Sequence, residues 1–168
     1  MNVTETLRGG DGEGVDWTLL VGSVLVCQLA GIVPSILTAD EVATWYPTLA
    51  KPAFTPPSWL FGPVWTTLYL LMGVALYLVW QSDEGRLRTV ALGVFGVQLV
   101  LNAAWTLTFF GAQAIFGGLV VILVLLATIL ATMAAFARID RRATALLVPY
   151  LLWVGFATAL NYELWRLN

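Results

Sequence analysis

Apolar and polar stretches alternate along this chain with a regular beat. Five apolar runs of roughly twenty residues fall at about 17–37, 59–80, 90–109, 114–136 and 143–165. That is the length a helix needs to cross the hydrocarbon core of a bilayer. Backbone groups in lipid must satisfy one another within the segment, so each run predicts a transmembrane helix. The gaps at 81–89 and 110–113 leave room only for tight turns, so consecutive helices should pack antiparallel. The pattern predicts an all-α, integral membrane five-helix bundle forming one domain over residues 17–168. Residues 1–16 are polar and acidic, with Glu5, Asp11, Glu13 and Asp16 against Arg8, and predict a disordered tail.

The longest interruption, 38–58, has its own character. "WYPTLAKPAFTPPSW", residues 45–59, holds Pro47, Pro52, Pro56 and Pro57 between Trp45 and Trp59, with the only lysine, Lys51, near its middle. Proline fixes φ and removes a donor, which excludes an ordinary helix or a central strand there. Residues before proline are pushed to extended conformations. A stiff cover over one end of the bundle is expected. Its aromatic rings suit either an interfacial anchor or a lid on a cavity.

Composition sharpens the membrane reading. Hydrophobic residues make up 60% of the chain and charged ones 11%, against about 25% charged in soluble domains. Arg8, Arg86, Arg88, Arg138, Arg141 and Arg142 fall on one side of the expected topology, Lys51 and Arg166 on the other. By the positive-inside bias the N-terminus is expected in the cytoplasm, with the proline segment and C-terminus opposite. The acidic start lacks the basic region of a cleavable signal peptide. No basic tract points to nucleic acid. The single Cys27 cannot form an intramolecular disulfide. Histidine is absent altogether, which removes the commonest metal ligand, the usual haem ligand and the usual catalytic base. No metal and no resident cofactor are expected.

Candidate chemistry lies in polar and aromatic residues inside the runs. Gln98, Asn102 and Trp105 are spaced i, i+4, i+7 and share a helix face. Such amides serve either as interhelical glue or as a polar wall for a ligand. Trp153, Ala157 and Leu160 repeat the spacing in the fifth run, with Tyr150 and Asn161 nearby. Trp65 and Tyr69 in the second run, and Gly31 and Ser35 in the first, are each i, i+4 pairs. Rings beside small residues leave space for a flat ligand or for a neighbouring helix. No carboxylate or base sits deep in any run, so a proton pump is not indicated. No conventional catalytic set is present. Gly93, Gly96, Ala103 and Ala104 on the third run offer a weak homodimer signal.

The strings "WYPTLAKPAFTPPSWLFGPVWTTLYLLMG" (45–73), "LNAAWTLTFFGAQ" (101–113) and "PYLLWVGFATALNYELWRLN" (149–168) resemble the TspO/MBR family, the translocator proteins also called peripheral benzodiazepine receptors and tryptophan-rich sensory proteins. The resemblance covers all five runs. It implies a five-helix bundle, often dimeric, with a ligand cavity capped by the segment joining the first two helices. It implies binding of tetrapyrroles such as protoporphyrin IX, of sterols or other lipids in some members, and of synthetic drug ligands. The positions matching the family pocket are Tyr46, Trp65, Asn102, Trp105, Trp153, Ala157 and Leu160. Some members are reported to degrade porphyrin in light, and Trp65 and Trp153 match the tryptophans linked to that activity. Leu160, Tyr162 and Arg166 fit a loose sterol-recognition pattern. Phe54-Thr55 stands where the resemblance allows a tryptophan–histidine pair in some members, a departure that bears on drug-like ligands. A receptor, a light-dependent enzyme and a passive transporter all remain open at this stage.

Overall fold

The computed structural model describes residues 14–168. The expected tail therefore lies, up to residue 13, outside the described residues. Helix α1 spans Trp17–Leu37. It is followed by a short α2, Ala39–Thr44, and a 3-10 turn, Tyr46–Thr48. Then come α3 (Ser58–Trp80), α4 (Gly85–Thr106), α5 (Ile115–Phe136), α6 (Arg141–Leu146) and α7 (Val148–Leu167). Among the described residues five segments are long and apolar enough to cross a membrane, with α6 and α7 together making the fifth. The all-α membrane bundle read from the hydrophobic pattern is the fold observed.

Local chemistry explains the boundaries. Asp16 caps α1 by accepting from the Leu19 amide at 3.0 Å, satisfying one of the donors a helix start leaves free. Pro34 lies in the last turn of α1, and its carbonyl takes both the amide and the hydroxyl of Thr38, at 3.1 and 2.9 Å. The chain leaves α1 there. Helix α4 begins at Gly85, earlier than the polar residues around it predict. Arg88 is the reason. Its guanidinium donates to the carbonyls of Ser82 (2.7 Å) and Trp80 (3.3 Å), so the charge serves the free carbonyls at the end of α3. Between α6 and α7, Pro149 lacks the amide that would continue a single helix, and Leu147 instead bonds to Thr144 at 3.1 Å.

Two features differ from the sequence expectation. The proline segment is not wholly extended: Pro47 sits at the start of the 3-10 turn, a position that needs no amide donor. The third span does not stop near residue 109. It continues as a π-helical turn, Leu107–Gly111, with the Ala112 amide reaching back to Leu107 at 2.8 Å. The chain then reverses at Gln113, whose φ of 53° is left-handed.

The helices form a closed ring in the order α1, α4, α5, α6/α7, α3 and back to α1. The α1–α3 contact depends on two glycines. A Cβ on Gly73 would stand 2.5 Å from the Val24 backbone, and one on Gly31 would stand 2.0 Å from the Tyr69 ring. Met72, Ala75, Val79, Phe95, Ile129 and Phe136 fill the arginine-bearing half of the bundle. Val21, Leu25, Leu29, Val97, Val100, Leu123 and Leu152 point outward, as an apolar surface facing lipid does.

Candidate functional site

The opposite half of the ring is not filled. A cavity of about 770 Å³ lies beneath the 38–58 segment, between α1, α3, α4 and α7. Each element supplies a wall for a local reason. From α1 come Gly31 and Ser35, small enough to leave room. From α3 come Phe61, Trp65 and Tyr69, one helical face. The π-turn turns Phe109 and Phe110 inward with Trp105. From α7 come Trp153, Ala157 and Leu160. The connecting segment contributes Val42, Tyr46 and Lys51 over the end.

The rings interlock. Trp65 stacks on Tyr69 with centroids 5.6 Å apart, and lies 6.3 Å from Trp105, which stacks on Phe109 at 5.7 Å. Phe61 meets Trp153 edge-on at 5.8 Å, and Trp153 meets Phe156 at 5.4 Å. The segment above is fixed by Trp45 on Phe109 (5.8 Å), Tyr46 on Phe110 (5.5 Å) and Phe54 on Phe156 (6.2 Å). Asn168 pairs with the Ala50 backbone in both directions, at 2.9 and 3.0 Å. Burial raises the Tyr46 phenol above its ordinary pKa, so it stays a neutral hydroxyl. The Lys51 ammonium sits 4.7 Å over its ring.

Behind the cavity runs a buried chain of hydrogen bonds. Tyr69 donates to the Asn102 carbonyl oxygen. The Asn102 amide donates to the Tyr150 hydroxyl at 3.0 Å, and Tyr150 donates to Gln98 at 2.9 Å. The chain crosses α3, α4 and α7. Polar side chains inside a membrane bundle find their partners on neighbouring helices in this way. Trp105 donates to Asn161 at 3.1 Å, and Asn161 to the Ile115 carbonyl at 3.0 Å. Among the described residues one indole N–H is both buried and without a hydrogen-bond partner, that of Trp153.

Of the residues singled out in the sequence, Tyr46, Trp65, Trp105, Trp153, Ala157 and Leu160 stand together on the cavity wall. Asn102 does not. It is 1% exposed, and both polar atoms of its amide are taken by Tyr69 and Tyr150. Its place is to hold Tyr69, which forms the wall. The sterol-pattern residues do not share a surface either. Leu160 faces the cavity, whereas Tyr162 is 44% exposed and Arg166 lies over the Tyr162 ring while pairing with Glu163 at 3.0 Å. Phe109 and Phe110 were missed, because no sequence signal announces an i→i+5 turn. Gly93 and Gly96 lie on α4 with open space around them.

A ring of five membrane-crossing helices enclosing an aromatic cavity defines a multi-pass membrane protein with a ligand-sized internal site. The family is equally plain: the chain belongs to the TspO/MBR family, whose model matches residues 23–166. It is 44% identical over 147 residues to the tryptophan-rich protein TspO of Chlorobaculum tepidum, covering 85% of this chain and 91% of that one. It is 41% identical over 154 residues to the human translocator protein, covering 90% and 91%. To the tryptophan-rich sensory protein of Cereibacter sphaeroides it is 40% identical over 155 residues, covering 92% and 94%.

Proposed function

We propose that this protein is a membrane receptor or translocator that binds tetrapyrroles such as protoporphyrin IX in the cavity, with the 38–58 segment as its lid. The observation that carries the reading is the cavity itself. Its volume of about 770 Å³ falls within the roughly 300–1,000 Å³ of small-molecule sites. Its walls are mostly indole, phenol and phenyl rings, which stack on flat apolar ligands. Trp153 on that wall also carries a buried N–H without a partner, the kind of group that calls for an explanation. The chain has no histidine to ligate haem iron, so a metal-free porphyrin suits these walls better. The arginine-bearing end faces the cytoplasm in this reading and the lid faces the other side.

A second reading is favoured by one arrangement. Trp65 borders the cavity and lies within 5.6–6.4 Å of Tyr69, Trp105 and Tyr150, a cluster of oxidisable rings beside any bound pigment. That suits a light-dependent, porphyrin-degrading enzyme using Trp65 and Trp153. Quenching of tryptophan fluorescence by protoporphyrin IX in the dark, followed by absorbance under illumination, separates the readings. Saturable quenching with a stable spectrum supports the receptor. Bleaching that requires Trp65 or Trp153 supports the enzyme. Absence of saturable quenching overturns tetrapyrrole binding.

A further inference from the structure

The cavity is apolar at its walls but not neutral at its mouth. Among the described residues Lys51 is the only charged one lining it. Two of its three N–H donors rest on the carbonyls of Pro47 and Leu49, both at 3.2 Å. Those carbonyls offer partial charge only. The ion pairs among the described residues are Arg142–Asp140 and Arg166–Glu163, so no carboxylate among them lies within ion-pair distance of the ammonium. An interfacial lysine ordinarily extends its stem and carries its head into water. This one is folded back over the Tyr46 ring, 4.7 Å from its centroid, at the rim of the cavity.

The remaining polar groups on the walls explain why that charge matters. The hydroxyls of Ser35, Thr38 and Thr66 donate to carbonyls one turn back, at 2.8, 2.9 and 2.9 Å. Gln28 donates to the Thr66 carbonyl at 3.0 Å. These donors are spent within the protein. An occupant therefore meets stacked rings, a few neutral polar groups such as the Tyr46 hydroxyl, the Trp65 N–H and the Thr106 hydroxyl, and one positive charge at the lid. Lys51 is exposed on its outer side, and its inner side borders an apolar space where the attraction for an anion is screened less than in bulk water.

We propose that Lys51 is the specificity-determining residue of this site: it receives a carboxylate carried on the edge of an apolar, ring-shaped ligand. The site thus selects aromatic carboxylic acids over their neutral analogues and orients the acid edge toward the lid. This rests on the tetrapyrrole reading above and narrows it. The remaining N–H of the ammonium supplies a charge-assisted hydrogen bond, stronger than a neutral one.

The test compares protoporphyrin IX with its dimethyl ester, which keeps the ring and removes both negative charges. Each is titrated against the full-length protein in phosphatidylcholine nanodiscs, in the dark, by tryptophan quenching. The parent should bind the diacid about tenfold more tightly than the ester, the size of one charged hydrogen bond. Lys51→Met keeps the stem and removes the charge. It should bind the two porphyrins with a ratio near one, the loss falling on the diacid. Lys51→Arg should restore the preference. Each apparent affinity is corrected for that porphyrin's partition into empty nanodiscs before the ratio is taken. A preference that survives in Lys51→Met, or that is missing in the parent, overturns the assignment while leaving porphyrin binding intact. Saturable binding of neither porphyrin removes the tetrapyrrole reading, and the carboxylate assignment falls with it.

Discussion

Trp153 is the residue where packing and recognition come closest. Its ring is held by Phe61 and Phe156, yet its N–H has no partner. An unsatisfied buried donor costs about 1–3 kcal/mol, so a ligand that accepts from it recovers part of that cost. Trp153→Phe keeps a ring and removes the donor. Titration should show porphyrin affinity reduced about tenfold with thermal stability unchanged or raised; unchanged affinity would leave the N–H out of recognition. Gly31 shows the opposite constraint. A Cβ there collides with Tyr69, so Gly31→Ala displaces the ring that stacks on Trp65 and donates to Asn102. Overpacking of this kind costs roughly 1–3 kcal/mol, read as a lower melting temperature. At this scale the aromatic wall was legible, because rings at i, i+4 and i+7 declare a shared face. The role of Asn102 was not. Periodicity says which way an amide points, and only the packed structure says that two tyrosines arrive there first.

At the scale of the elements, the segment over the cavity is held by contacts far apart in sequence. Asn168 grips the Ala50 backbone from the end of α7, and Trp45, Tyr46 and Phe54 grip the rings below. Asn168→Ala should accelerate porphyrin release in stopped-flow dissociation while slowing nothing else. Pro56 and Pro57 replaced together by alanine should do the same by softening the backbone. An unchanged off-rate in both would make the segment an anchor, not a lid. The short α6 carries the one clear acid-side effect. The Arg142 side chain, hydrogen-bonded to Asp140, holds that carboxyl below the usual carboxylate range. Its contribution is full above the unfolded value of about 3.9 and is lost as pH falls through the lower folded value. The stability gap between the parent and Asp140→Asn should therefore close on acidification below about pH 4. The long helices and their number were readable from apolar runs alone. The π-turn and the early start of α4 were not, since each depends on a hydrogen bond between segments or across an irregular turn.

At the scale of the whole molecule, the ring closes tightly at its arginine-bearing end and leaves space at the other. That asymmetry joins fold to function. The tight half is set by apolar side chains that interdigitate, and the open half by glycine, alanine and serine facing indole rings. Family membership and five spans make the chain a multi-pass membrane protein with relatives named as translocators and sensory proteins. The central claim is that the space under the lid is where a tetrapyrrole sits. Ala157 lies on its wall, 7% exposed, facing inward from α7. The most direct measurement is the dark equilibrium titration of Ala157→Phe with protoporphyrin IX beside the parent, with melting temperature recorded for both. The account predicts saturable quenching in the parent and its loss in a variant that remains folded, because the added ring occupies the cavity. Undiminished binding by a folded Ala157→Phe protein would place the porphyrin elsewhere and contradict it.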